Sequence, residues 1–351
     1  MMRFRRYLNS GGLLLLTLLS CDKPPVNLTP IRIGWQVTWA TQGQIAQTMK
    51  HTNVLTKNGL EGTLVGVSYG APLNEAALAG NVDVIFTADQ PAAALLARGA
   101  NWVIIGRLMF NRVATYVPPE SSIRTLADLR GKRIAMPFGA AAQRVALKAI
   151  ADAGLDPTKD ITSINLDITE QAGIVQRGTP SSWGDVDALV GFDPTVAILE
   201  LNKSARMLHI GLVTSVIVMS RDFITAHPDA PVSFLMSFKE AVLYYATHTD
   251  QANEWFLKAS QLVFDDSVLS LAASVEPNVR AKTIRGVNLT LTEELITGMQ
   301  EAADFIFDNG LVKRRVQVAD HIDQSFLEKA NGRLAESEYN PKTVQVKEQH
   351  E

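Results

Sequence analysis

Strand-like and helix-like segments alternate through most of this chain, and that alternation restricts the fold more than any other feature. IRIGW, from Ile31, predicts a strand, and helical spacing follows in QGQIAQTMKHTNVL. LEGTLVGVSY predicts a second strand and APLNEAALAGN a helix with Pro72 near its first position. VDVIFTA reads as an apolar strand, DQPAAALLARG as a helix with Pro91 in its first turn, and NWVIIGRL as another strand. The pattern then restarts. It predicts a helix at Leu126–Leu129, a strand at Arg133–Met136 and a long helix from about Ala140, ended by Gly154 at C′. ITSINLDI is a strand, GDVDALVGF ends in a short strand, a helix follows Pro194, and ARMLHIGLVTSVIVMSRDFI returns as two strands. From Pro231 to Ala330 the spacing is mostly helical. Strands separated by helices form a largely parallel sheet covered on both faces. The fold class is therefore α/β, with two α/β units and a helical C-terminal region.

Open α/β sheets bind ligands beyond the carboxyl ends of their strands. The first strand leads into Trp35, Trp39 and Thr41, two tryptophans in a polar loop. They either stack on a ligand or plug the space between units. The second strand leads to Tyr69 and Gly70, where the backbone can approach a ligand and free N–H groups begin the next helix. The third leads to Asp89 and Gln90; Asp89 is an N-cap, a ligand contact, or both. In the second unit, Phe138, Gly139 and Ala140 lie between a strand and a helix, in a geometry that suits an anion. Asp193, before Pro194, is an N-cap or a ligand contact, with Pro194 at N1. Phe110 and Thr214 complete the candidate set.

The N-terminus carries a separate message. Arg3, Arg5 and Arg6 precede an apolar run that ends at Cys21, the single cysteine of the chain. The run is far short of the ~20 residues a spanning helix needs, and its layout is that of a secretory signal. Leu18-Leu19-Ser20-Cys21 resembles the lipobox of bacterial lipoproteins. That resemblance implies cleavage after residue 20, lipid on Cys21 and a membrane anchor, on the periplasmic face of the inner membrane or on the surface of a Gram-positive cell. Residues 21–30, DKPPVNLTP after the cysteine, read as a tether, and residues 335–351 as a disordered tail.

Charge and motifs narrow the function. Lys and Arg total 33 against 36 for Asp and Glu, with no basic stripe, so nucleic acid is not an expected partner. The phosphate-loop and dinucleotide signatures are absent from the sequence, and the nucleophile-elbow spacing G-x-S-x-G occurs once, at Gly66–Gly70. The six histidines have no metal-ligand spacing, so no metal, cofactor or catalytic residue is expected.

ALAGNVDVIFTADQPAAALLARG, TLADLRGKRIAMPFGAA, ALVGFDP and EAADFIFDNGLVK together resemble the substrate-binding proteins of ABC importers. The branch resembled is the one for sulfonates, taurine, nitrate and thiamine precursors. The resemblance covers about Ile31 to Ala330 and implies a two-lobed type II periplasmic clamshell. Lobe one would be 31–110 and 222–334 and lobe two 111–221, with strand crossings near Leu108–Tyr116 and Leu212–Arg221. It implies a monomer that shuts on a small solute and docks on a permease with its ATPase, without chemistry of its own. A receptor for a sensor protein uses the same clamshell, and a related thiamine-pyrimidine enzyme has a cysteine-rich segment this chain lacks. Ala140, Ala141 and Ala142 stand where oxyanion binders usually carry a hydroxyl, and Phe192 replaces a usual tryptophan. With Asp89 and Asp193 as carboxylates, the expectation favours a heterocyclic or amine-bearing solute over a simple sulfonate.

Overall fold

The computed structural model describes residues 27–347 apart from positions 264, 337 and 338, so the expected leader and Cys21 lie outside the described residues. Eight strands form one sheet: β1 Thr29–Gln36, β2 Leu60–Val67, β3 Val84–Ala88, β4 Trp102–Val117, β5 Arg133–Met136, β6 Thr162–Asn165, β7 Ala188–Phe192 and β8 Arg206–Ser220. Their order is β2-β1-β3-β8-β4-β7-β5-β6. Helices α1 Gln42–His51, α2 Val54–Lys57, α3 Gly70–Leu78 and α4 Asp89–Ala97 belong to the β1–β3 wing. Helices α5 Ala141–Asp152, α6 Ile168–Arg177 and α7 Thr195–Leu201 belong to the β5–β7 wing. The C-terminal helices are α8 Arg221–Ala226, α9 Ala230–Thr247, α10 Thr249–Ser260, α11 Asp266–Ala273, α12 Glu293–Asp308 and α13 Ser325–Glu336.

Each wing is parallel, as strand–helix alternation requires: β1 pairs with β2 and β3, and β5 with β6 and β7. The centre is antiparallel, at β3/β8, β8/β4 and β4/β7, so the sheet is mixed rather than largely parallel. The reason is two long strands. β4 continues past the predicted NWVIIGRL to Val117 as a single buried run. β8 is one strand where two were expected, and its Gly211 is not a turn. A Cβ there would lie 2.4 Å from Val145 Cγ1, so the glycine admits helix α5 against the strand. Both segments expected as crossings, Leu108–Tyr116 and Leu212 onward, fall within these two strands.

Helix boundaries follow ordinary signals. The capping residue Ala153 is followed by Gly154 at φ 85°, the left-handed position that stops α5. At α7 the expected cap shifts by one residue: Pro194 is the N-cap, and the Asp193 carboxylate accepts a hydrogen bond from Ala197 N at 2.9 Å. The expected disorder of 335–351 fails for the described part of that segment. Lys347 N donates to His51 O at 2.8 Å and Asn53 N to Gln345 O at 2.9 Å, so the polar tail pairs its backbone beside α1 and α2. Polarity alone says nothing about such pairing.

The C-terminal region is locked to β4 by one buried carboxylate. Glu276, 1 % exposed, accepts hydrogen bonds from both terminal nitrogens of Arg107, from Phe110 N and from Asn278 N. Removing one partner of a buried ion pair strands the other charge and costs ~3–5 kcal/mol. Glu276→Ala should lose about that much in urea unfolding; a loss under ~1 kcal/mol, the range of an exposed pair, would contradict this role.

Candidate functional site

The carboxyl ends of strands from both wings meet, and side chains from one wing touch the other. Asp89, at the start of α4 after β3, holds Arg144 of α5: Arg144 Nη2 lies 2.5 Å from Asp89 Oδ2. Trp39, between β1 and α1, packs on Phe192 at the end of β7, ring centroids 5.5 Å apart. Ser68, after β2, donates to Asp167 Oδ2 at 3.1 Å, at the cap of α6. A Cβ on Gly139 would sit 3.2 Å from Ala71 Cβ, so the Pro137–Ala140 turn abuts α3. Each contact joins residues from opposite sides of the β8–β4 pair.

The loop carrying Trp39 is under strain. Thr41 has φ 68° and ψ −60°, and Gln42 N donates to Ala40 O at 2.9 Å. This is a three-residue γ-turn of the rare positive-φ kind. A non-glycine residue there costs on the order of 1–3 kcal/mol, and such strain concentrates at ligand clamps. Gln44 partly holds the turn by accepting from Thr41 N at 2.6 Å.

Several buried polar atoms beyond these strand ends make no hydrogen bond within the described residues: Trp39 Nε1, Gln42 Nε2, Thr87 Oγ1, Gln90 Oε1, Arg144 Nε, and the facing pair Arg112 Nε and Asp193 Oδ2. They are linked through the structure. Gln42 Oε1 faces Gln36 N, Gln36 Nε2 donates to Phe86 O beside Thr87, and Gln90 follows Asp89. Native proteins pair nearly all buried polar groups, so these atoms are available to a solute or to water. Four of the seven are N–H donors.

The predicted residues separate. Trp39, Thr41, Gly70, Asp89, Gln90, Ala140 and Asp193 are buried around these contacts, and Tyr69 is half-buried at the cap of α3. Trp35 packs over β2, where a Cβ on Gly66 would lie 3.3 Å from its Nε1, and like Trp39 it is part of the main core cluster. Phe110 is engaged on the Glu276 side, with the Arg107 guanidinium 4.4 Å from its ring centroid, and half-buried Thr214 is its β8 partner. Phe138 is 37 % exposed, although its neighbour Gly139 abuts Ala71.

Two arginines escaped the sequence reading. Arg144 lies at the first turn of α5, where the helix dipole disfavours a cation, and that position was the available signal. Arg112 is a charge inside the apolar run of β4; its Nε is 3.3 Å from Asp193 Oδ2 and its Nη2 2.5 Å from Glu200. Both expected carboxylates are therefore already engaged by cations. Burial pushes the Asp89 carboxyl above the usual range, with Arg144 pulling it back. Burial likewise lifts Asp193 to about 7, against the opposing pull of Arg112. Among the described residues no cluster of His, Cys, Asp and Glu could hold a metal ion.

Known proteins share this arrangement. Residues 55–252, more than half of the chain, match the family described as NMT1/THI5 like. A Bacillus subtilis (strain 168) protein named for binding aliphatic sulfonates is 25% identical over 310 residues, covering 86% of this chain and 88% of its own. The alkanesulfonate-binding protein SsuA of Xanthomonas axonopodis pv. citri, bound to MOPS, superposes with TM-score 0.69 at 25% identity, covering 84% of this chain and 98% of that one. The desulfurization enzyme DSZB shares the fold at TM-score 0.63 and 14% identity, over 87% of this chain and 99% of that one.

A raised carboxyl pKa means the native state holds a proton that the unfolded chain has lost between ~4 and about 7. The stability tied to Asp193 is present at low pH and declines as pH rises through about 7. Urea unfolding at stepped pH should show this decline. Asp193→Asn should flatten it by up to ~1.4 kcal/mol per pH unit; an unchanged slope would mean that Asp193 is ionised throughout.

Proposed function

This chain belongs to the NMT1/THI5-like family, and on that premise we propose that it is the extracytoplasmic solute-binding component of an ABC importer. It captures a small organic anion, of the organosulfonate class, between two lobes and delivers it to a membrane permease whose ATPase does the work. Lobe one is 31–110 with 222–334, lobe two is 111–221, and β4 and β8 are the hinge. Cys21 carries the lipid that tethers a monomer to the membrane.

One observation carries the choice of an anion over an amine. An amine needs an unpaired carboxylate, and Asp89 is bound to Arg144 while Asp193 faces Arg112. The unsatisfied buried donors Trp39 Nε1, Gln42 Nε2 and Arg144 Nε suit the several oxygens of a sulfonate. The alanines at 140–142 do not argue against it, because side-chain donors from the other wing take the place of a hydroxyl. The names of the sulfonate-binding relatives support the same class. Trp39 and Phe192 supply an apolar wall for the organic tail.

The mechanism is differential affinity. A ligand held by Trp39 and Gln42 on one lobe and Arg144 on the other contacts both only when they are together, so it favours closure by that difference. In this scheme Asp89 competes with the ligand for Arg144. The solute is bound and released unchanged. The likeness to DSZB is one of fold, and this chain's sole cysteine precedes β1.

The sign of one substitution distinguishes the ligand classes. Asp89→Asn removes the competitor and should tighten binding of a linear alkanesulfonate by ~10-fold, the order of one charge-assisted hydrogen bond, in calorimetric titration. If a cationic amine binds instead, and Asp89→Asn abolishes its binding, the anion assignment is wrong.

A further inference from the structure

A buried lysine far along the chain from the cleft residues has no counter-charge among the described residues. Lys239 of α9 is 5 % exposed. Its ammonium donates to Asn331 Oδ1 of α13 at 2.6 Å and forms no ion pair among the described residues. Burial pulls its pKa down to about 8. A buried ammonium has three N–H donors and is costly without an anion. Here one donor is used, on a neutral amide.

Lys239 lines a cavity of about 360 Å³ between α9, the 3-10 turn Ile284–Gly286 and α13. A second cavity of about 490 Å³ adjoins it, sharing Ile284, Arg285, Leu334 and Ala335, and adds Lys282, Thr283 and Tyr339. The two form one groove bearing Lys239, Lys282 and Arg285, with no carboxylate among its described lining residues. Arg285 and Lys282 are exposed and make no hydrogen bond within the described residues, so their charges face the groove or solvent. None of the cleft residues lines it.

The groove also lies near the point where the chain enters the fold. Glu240, next along α9, accepts from Asn58 Nδ2 at 3.5 Å, and Gly59 O accepts from Thr29 N at the start of β1 at 2.9 Å. A chain tethered through the segment before Thr29 would carry this basic groove close to its membrane.

We propose that this groove is a second binding site, for a phosphate group, with Lys239 as its buried cation and Arg285 as its outer one. Tetrahedral phosphate oxygens accept from Lys239 Nζ, from the Arg285 fork and from the Asn331 amide, whose oxygen already orients the lysine. Free phosphate and a phospholipid head group present the same chemistry. The site is independent of the cleft and of what the cleft binds.

Two titrations of the full chain test it: inorganic phosphate followed by calorimetry, and vesicles of phosphatidylglycerol in phosphatidylcholine followed by sedimentation. Saturable binding in either should fall about tenfold or more in Lys239→Met and in Arg285→Ser and stay unchanged in the cleft variant Arg144→Gln. Lys239→Met should unfold no earlier than the parent without phosphate, since it removes an uncompensated buried charge. Binding of phosphate alone identifies a free anion, and binding of vesicles with loss in both variants identifies the lipid. Absence of saturable binding in both arms would overturn the site. So would binding that survives Lys239→Met and Arg285→Ser, or that is lost in Arg144→Gln instead.

Discussion

Two antiparallel strands hold the two halves of this molecule together, and the rest of its behaviour depends on them. β4 and β8 pair from Trp102 opposite Ser220 to Val117 opposite Arg206, and each wing of the sheet attaches to one side of that ribbon. A long two-stranded ribbon is the part of a sheet most able to twist and bend. Register shifts at Ile104/Gly106, Arg107/Met109 and Thr115/Tyr116 interrupt the ladder along its length. Such irregularities increase local twist and bend a strand. A hinge at this ribbon brings the carboxyl ends of strands on one side toward those on the other.

The wings were readable because each obeys a local rule. Strand–helix alternation located β1 to β3 and β5 to β7, and β5 matches its predicted bounds at Arg133 and Met136, while the predicted ITSINLDI strand overruns β6 and reaches α6 at Ile168. The centre was harder for a physical reason. Gly211 looks like a strand break in a sequence, yet it exists for Val145, a residue more than sixty positions away. The tail after α13 looked unstructured because polarity carries no information about backbone pairing with Thr52 and Asn53. Trp39, Asp89 and Asp193 lie beyond strand ends, as the sequence reading placed them, but their contact partners come from distant segments. Arg112 and Arg144 are single cations in apolar or alanine-rich runs, and only the fold reveals which carboxylates they meet. The same limit explains Trp35, whose neighbour Gly66 lies on another strand.

Those pairings alter the chemistry of the cleft. Two carboxylates without partners would have recruited a cation. With Asp89 held by Arg144 Nη2 and Asp193 facing Arg112, the unsatisfied donors are the Nε groups of those arginines, an indole and an amide. Strain at Thr41 keeps the loop with Trp39 and Gln42 in a conformation the chain would not choose alone. The site is therefore prepared on one side and electrostatically self-occupied on the other. On the proposed reading a solute competes with Asp89 for Arg144, which sets a threshold against weak or uncharged molecules.

The account stands on motion of the wings about β4 and β8 under control of the solute. Spin labels at Glu61 and Thr158, exposed positions in opposite wings, would report the distance between them in the full chain. With an alkanesulfonate added, the account predicts a shorter and narrower distance distribution than without it. The same distribution under both conditions, with the solute demonstrably bound, would contradict it.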